Sequence, residues 1–396
     1  MKNQIKLLDQ LGLTQIPIEE WQGREFISQG KSYIDFAGTN YLGFDFDPLL
    51  HQRGAEYMHR WGSLSGWSRM EVNPEIYRHI EKKIGRLLNA NRVHLSHTIT
   101  LTNFSLIPSI VKKGIIFSDH LVHTVVWEAC RLARDHGAGL IRFRHQDMNH
   151  LEELLKLHKD VSPKLIVIDG VYSNTMEIAP IEDLQALCRR YNAWLYVDDA
   201  HGFGILGENP LINNSYGHKG NGVVCFSKGD YNRTFYIASF GKAFCTYSAF
   251  STIPEEYEDK IWADSTQYIY SAPPNPYSIG TVDAVLDLNE SRGEQERSKI
   301  RCLVSYFTSG LKQLDMQFYN YLDQPVIFLV IGAIEDLITA ASYLQRSGIA
   351  PALRVYPQTS TSQCGFRFAL SSMHQKKHVD QVLSVLSEMK LLKMVA

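Results

Sequence analysis

Residues 193–201 read Ala193-Trp194-Leu195-Tyr196-Val197-Asp198-Asp199-Ala200-His201, and this stretch decides the fold. It is a short apolar run without polar alternation, rich in aromatic and aliphatic side chains, that stops abruptly at two acids and a histidine. A strand buried on both faces reads this way. KLIVIDG at 164–170, GVVCFS at 222–227 and TFYIASF at 234–240 have the same character and are expected as further strands. Around them lie helical periodicities. One covers 74–88, with Asn73 as cap, Pro74 at the first helical position, Glu75 in the first turn and Ile76, Ile80, Ile84 and Leu87 on one face. Others cover 124–136, 148–158 after the cap Asp147, and 181–191, where Ile181, Leu184, Leu187, Cys188 and Tyr191 align. Buried strands separated by helices predict an α/β fold with a mostly parallel central sheet and helices on both faces.

The end of the chain has a different rhythm. A strand VIFLVIG, a helix, the Pro- and Ser/Thr-rich loop ALRVYPQTSTSQCG, a strand FRFALS and a last helix carrying Val379, Val382, Leu383 and Leu386 predict a smaller α+β domain. The apolar region from Pro325 to Leu344 is interrupted by Glu335 and Asp336, so it reads as strand and amphipathic helix and not as a membrane span. The boundary is placed at the Pro-rich APPNP of 272–276. This gives an N-terminal segment 1–45, a large domain 46–275 and a small domain 276–396.

Composition narrows the function. Forty Lys and Arg against 42 Asp and Glu leave a formal charge of −2 over 396 residues, with no basic run, so the footprint of a nucleic-acid or anionic-membrane binder is missing. Small-molecule partners are expected. The six cysteines are scattered without a CxxC pair, and residues 1–10 lack an apolar stretch of signal or anchor type; a reduced cytoplasmic protein is the expectation.

Three motifs lead nowhere. Gly202-Phe203-Gly204-Ile205-Leu206-Gly207 fits a dinucleotide fingerprint with Asp230 downstream, but the Pro-, Asn- and Gly-rich segment after it cannot open the helix that fingerprint requires. Gly62-Ser63-Leu64-Ser65-Gly66 has Leu where a nucleophile elbow needs Ser. No HExxH is present, and no metal site is expected.

The informative constellation is Asp198-Asp199-Ala200-His201 at the end of one strand and Ser239-Phe240-Gly241-Lys242 at the end of another. In an open α/β sheet both meet at the carboxyl edge, where ligands bind. Alone, Lys242 reads as a surface lysine, Asp198 as a turn cap and His201 as a turn residue. Together they match the needs of pyridoxal phosphate (PLP): an amine to form a Schiff base with the cofactor aldehyde, and a carboxylate to keep the pyridine nitrogen protonated.

At this point the chain resembles the α-oxoamine synthases, a family of fold-type I PLP-dependent transferases. The markers are TNYLGF at 39–44, WGSLSGWSR at 61–69, TNFSLIP at 102–108, SDHLVH at 118–123, RHQD at 144–147, DGVYSNTMEIAPIEDL at 169–184, YVDDAHGFGILG at 196–207, SFGKAF at 239–244 and YSAPP at 270–274. The resemblance implies that Lys242 holds the cofactor and Asp198 pairs with the pyridinium nitrogen. It implies that His201 and Ser173 approach the phenolic oxygen and that His123 stacks on the ring, a role that also suits a flat side chain. His123 reads equally as the cap of the next helix. Ser239 is implied as a phosphate donor, Ser271 as a second from the neighbouring subunit of a homodimer, and Arg354 as the receptor of the amino-acid carboxylate.

The chain departs from the family pattern in places. Thr98-Ile99-Thr100-Leu101-Thr102-Asn103 replaces the usual Gly and aromatic residue of the phosphate loop, so threonine hydroxyls, Thr100 among them, stand in as donors. CTYSAF replaces a Gly-rich stretch after the lysine, and Thr39 stands where many members carry Asn near the substrate. The implied activity is condensation of a small amino acid with an acyl thioester, such as acyl-CoA or an acyl carrier, with decarboxylation to an α-aminoketone. Another PLP reaction such as transamination, and a non-catalytic partner subunit, remain open at this stage.

Overall fold

The computed structural model describes residues 2–356 and 358–392. Contacts divide the described residues into two units: those within 1–46, 174–176 and 295–396 form one, and those within 47–173 and 177–294 the other. The division falls inside the long helix Pro276–Gln313, which begins at the last residue of the Pro-rich segment. The N-terminal strands are β1 (Glu20–Gln22), β2 (Glu25–Ser28) and β3 (Lys31–Phe36). The middle of the chain supplies β4 (Val93–Ser96), β5 (Ile115–Asp119), β6 (Gly139–Phe143), β7 (Lys164–Asp169), β8 (Trp194–Asp198), β9 (Thr234–Ser239) and β10 (Ala249–Thr252). The last strands are β11 (Phe318–Tyr319), β12 (Val326–Gly332), β13 (Ile349–Arg354) and β14 (Cys364–Ala369).

The larger unit is built on a seven-stranded sheet of order β4-β10-β9-β8-β7-β5-β6. Strands β6, β5, β7, β8 and β9 run parallel, and β10 opposes both its neighbours. Every residue of β7 and β8 is buried, as their unbroken apolar character demands. Alternate residues Leu165, Val167, Trp194, Tyr196, Phe235 and Ile237 join one core with Leu106, Ile107 and Ile110 of the helix Ile99–Val111 and Val126 and Ala133 of the helix Thr124–Asp135. The intervening Ile166, Ile168, Leu195 and Val197 face the other way and are equally buried, on the side of the helix Ile181–Tyr191, which packs against β8. Each such aliphatic side chain contributes roughly 1.5–3 kcal/mol by leaving water.

The smaller unit holds a second seven-stranded sheet, β1-β2-β3-β13-β14-β12-β11, in which only β13 and β3 pair in parallel. The helices Ile334–Arg346 and Lys376–Leu391 complete it.

Three local expectations are corrected. GVVCFS is not a strand: Val223–Phe226 form one helical turn, because Gly222 at φ 89° redirects the chain and the Asp199 carboxylate accepts the Val223 N–H at 2.8 Å. Asn73 does not cap the helix Glu75–Leu88; Pro74 holds that position, and the Asn73 side chain accepts from Arg69 Nε at 3.0 Å. The start of the expected loop at 352–354 belongs to β13, drawn into the sheet between β3 and β14; Pro357 within that loop lies outside the described residues. By contrast, Asp147 caps the helix Met148–Leu157 as its sequence suggests, accepting from His150 N at 2.9 Å.

Candidate active site

Strand order reverses between β5 and β7: the chain leaves β5 for β6 on one side, whereas β7 leads to β8 and β9 on the other. A crevice opens at such a switch point beyond the carboxyl ends of the strands. Three aspartates end neighbouring strands there: Asp119 on β5, Asp169 on β7 and Asp198 on β8, the last two directly paired in register.

Asp198 is 7% exposed. Its Oδ2 accepts from Asn103 Nδ2 at 2.8 Å and its Oδ1 from the Ala200 N–H at 3.2 Å. Asp169 accepts the His123 N–H at 3.0 Å through Oδ2, while its buried Oδ1 has no hydrogen-bond partner. Burial pushes the Asp169 carboxyl well above the ordinary carboxylate range, and the Asp198 charge adds to the shift; the His123 N–H and the Lys242 ammonium oppose it. Lys242 is half-buried in the turn that follows β9.

The other expected residues fall as follows. His123 opens the helix Thr124–Asp135 as its cap, its Nδ1 accepting from Val125 N at 3.3 Å, and its side chain is exposed. His201 is buried in the turn after β8, and Ser173 lies in the hairpin turn closed by the Val171–Ile178 bridge. Ser239 Oγ accepts the Gly241 N–H at 3.0 Å, which leaves its own O–H as a donor. Ser271 donates to the Ala272 carbonyl at 3.2 Å.

Of the threonines before and within the helix Ile99–Val111, Thr98 is the N-cap and Thr102 is buried, donating to the Thr98 carbonyl at 2.8 Å; Thr100 is exposed in the first turn. The remaining two residues belong to the smaller unit. Arg354 ends β13, and burial together with the neighbouring Arg367 lowers it to about 10. Thr39 is half-buried, its carbonyl accepting from Tyr41 N at 2.9 Å.

Four residues beside the expected ones are not singled out from sequence. Asp169 obeys the same strand-end rule as Asp198 and is open to discovery by it. Asn103 and Tyr196, joined by a hydrogen bond of 2.6 Å, carry no such signal, nor does Arg367, buried in β14 beside Arg354 and Tyr41. Beside the crevice, His145 Nδ1 bonds Asp119 at 2.9 Å, its Nε2 lies 3.3 Å from Glu177, and its ring meets the Tyr172 ring edge-on at 4.5 Å. Burial alone would raise Asp119 and lower His145. The His145 bond and two backbone N–H donors reverse the first effect, and Asp119 and Glu177 reverse the second.

The glycine motif after Asp198 serves packing. The fully buried Asp199 accepts from Gly202 N, Val223 N and the Tyr236 hydroxyl, and burial still raises it to about 7. A side chain at Gly207 would stand 1.8 Å from the His218 carbonyl, and no helix follows. Among the described residues there is no cluster of three or more metal-ligating side chains, and no helix is long and apolar enough to cross a membrane.

These residues fit PLP. A buried carboxylate pair, one oxygen of it unpartnered, suits a cationic ring nitrogen, and an amine within electrostatic reach suits an aldehyde. The N-terminus of Ile99–Val111, capped by Thr98, suits a phosphate.

Comparison with known proteins agrees. Residues 80–386 match the model of the aminotransferase class I and II family. An 8-amino-7-oxononanoate synthase of Chromobacterium violaceum is 31% identical over 372 residues, covering 93% of this chain and 92% of its own, and that of Herminiimonas arsenicoxydans is 30% identical with 90% of each covered. The fold is that of a serine palmitoyltransferase of S. paucimobilis solved with PLP and myriocin (22% identity, TM-score 0.87, 100% and 97% of the two chains). It is also that of the 8-amino-7-oxononanoate synthase of Francisella tularensis (20% identity, TM-score 0.76, 92% and 99%). With the strand-end acids and the lysine in place, the chain belongs to the PLP-dependent α-oxoamine synthases, within the class I and II aminotransferase family.

Proposed function

We propose that this acyltransferase condenses a small amino acid with an acyl thioester, releasing the thiol and carbon dioxide and leaving an α-aminoketone. The observation that carries the reading is the registered pair Asp169 and Asp198 at the carboxyl edge, with Lys242 acting electrostatically on it. PLP, when bound, supplies an electron sink for the pair of electrons left on the amino acid's α-carbon.

The protein's part follows from its side chains. Lys242 Nζ would anchor the cofactor, and its amine, when free, would take the α-proton as general base. Asp198 holds the proton on the ring nitrogen. His123 covers the ring face, His201 and Ser173 donate toward the phenolic oxygen, and Thr100 and Ser239 donate to the phosphate. Arg354 receives the substrate carboxylate through a paired, charge-assisted contact, with Thr39 beside the substrate. The thioester is assigned to acyl-CoA or an acyl carrier protein, and the enzyme to a cytoplasmic homodimer in which Ser271 of one subunit serves the phosphate held by the other.

The test is product formation from an amino acid and an acyl-CoA with PLP present. Turnover should require the thioester and vanish in Lys242→Ala, and borohydride should fix the cofactor covalently to the wild-type chain alone. Turnover of amino acid with a keto acid and no thioester would instead assign transamination.

A further inference from the structure

We propose that Tyr196 and Asn103 form a positioning relay for Asp198, setting the angle at which its carboxylate faces the ring nitrogen; the inference rests on the reading of Asp198 just given. Tyr196 and Asp198 are two residues apart on β8, so their side chains leave the same face of the sheet. On that face packs the helix Ile99–Val111, with Asn103 one turn in from its N-terminus. The Tyr196 hydroxyl has one proton to give, and it donates that proton to Asn103 Oδ1 at 2.6 Å. The amide is thereby turned so that Nδ2 donates to Asp198 Oδ2 at 2.8 Å. The reversed amide would set a carbonyl oxygen against the carboxylate, acceptor facing acceptor.

With the Ala200 N–H on Oδ1, each carboxylate oxygen holds one protein donor, and the group cannot rotate without losing both. Tyr196 and Asn103 are both fully buried, so water cannot replace a lost partner. Thr100 and Asn103, three residues apart, share a side of this helix. One rigid element therefore carries both the exposed threonine assigned to the phosphate and the amide that orients the acid at the other end of the cofactor.

A relay predicts dependence that a packing role does not. Tyr196→Phe, which keeps the ring, should lower kcat roughly threefold to tenfold, the weight of one neutral hydrogen bond. Asn103→Ala should lower it about 10-fold to 100-fold, the weight of a bond to a charged group. KM for the amino acid should hold in both. The visible circular dichroism of bound PLP should weaken in the same order, and the PLP dissociation constant should rise. Because Tyr196 acts only through Asn103, adding Tyr196→Phe to Asn103→Ala should change none of these readouts further. Should Asn103→Ala fail to fold, Asn103→Ser carries the same cycle.

Additive effects, or wild-type dichroism and kcat in Tyr196→Phe, would overturn the relay while borohydride trapping in the wild type upheld the cofactor reading. No trapping in the wild type would overturn the reading and the relay with it.

Discussion

Removing His145 tests how the acids beside the crevice are held. The side chain of Asp119 is 1% exposed, and it keeps two backbone donors, Leu121 N at 2.8 Å and Gln146 N at 2.9 Å, when His145 is lost. Its counter-charge goes. Breaking a buried pair by deleting one partner costs about 3–5 kcal/mol, and the retained donors together with the 22% exposure of His145 bring the expectation for His145→Ala to about 2–3 kcal/mol. In a unit of this size that is a fall of roughly 4–12 °C in thermal midpoint.

The loss should depend on pH with a definite sign. His145 is raised above 6.5 in the fold, so its contribution is complete below 6.5 and disappears as pH climbs through the folded value. Asp119 is lowered below 3.8, so its contribution is complete above 3.8 and disappears as pH falls through its folded value. The window of full stabilisation therefore runs from 3.8 to 6.5. Thermal unfolding of wild type and His145→Ala, scanned at about pH 6 and about pH 9, should show the large difference at the lower pH and a clearly smaller one at the higher. In the Asp119→Asn background the same substitution should cost under about 1 kcal/mol. An equal loss at both pH values, or an undiminished one in the Asp119→Asn background, would refute the Asp119–His145 ion-pair reasoning and leave the packing of His145 on Tyr172 and its contact with Glu177.

Other expectations are separate. Asp198→Asn should leave the chain folded while lowering kcat at least about 100-fold, read with saturating substrates; a full rate would unseat the strand-end assignment. Arg354→Ala should raise KM for the amino acid about 10-fold to 100-fold, the weight of a charge-assisted bond, and leave the cofactor spectrum alone; an unchanged KM would move the carboxylate site elsewhere. Gly207→Ala would put its Cβ 1.8 Å from the His218 carbonyl and 2.8 Å from Gly220 N, backbone atoms that cannot swing aside, and should cost about 3 kcal/mol or more in denaturant melts. Gly66→Ala, with nothing within 4 Å, should stay within about 0.5 kcal/mol of wild type; similar behaviour of the two would contradict the packing described.

Legibility followed physical cause. Strands β7, β8 and β9 could be read because burial on both faces demands contiguous apolar residues, and the acids at the ends of β7 and β8 stand out against such runs. GVVCFS shares that composition yet turns as a helix, since the cause lies in Gly222 and in a carboxylate 24 residues away. Strands β4 and β10 are wholly buried but include His94, Ser96, Ser251 and Thr252, whose polarity hides them from any hydrophobic scan. Of the residues expected at the site, Lys242, Asp198 and Arg354 each stand beside a recognisable strand end or motif. Asn103 looks like one of several polar residues in a mostly apolar helix, because its meaning depends on a strand 93 residues further on.

Three aspartates on adjacent strand ends also bear on the chain's life before it meets its cofactor. A newly synthesised polypeptide must close this edge with the acids facing one another, and Lys242 and His145 are there to offset them. A ligand that binds the folded form draws the population toward it in proportion to its free concentration. By that linkage, free cofactor raises the share of copies that are folded and so out of reach of chaperones and proteases.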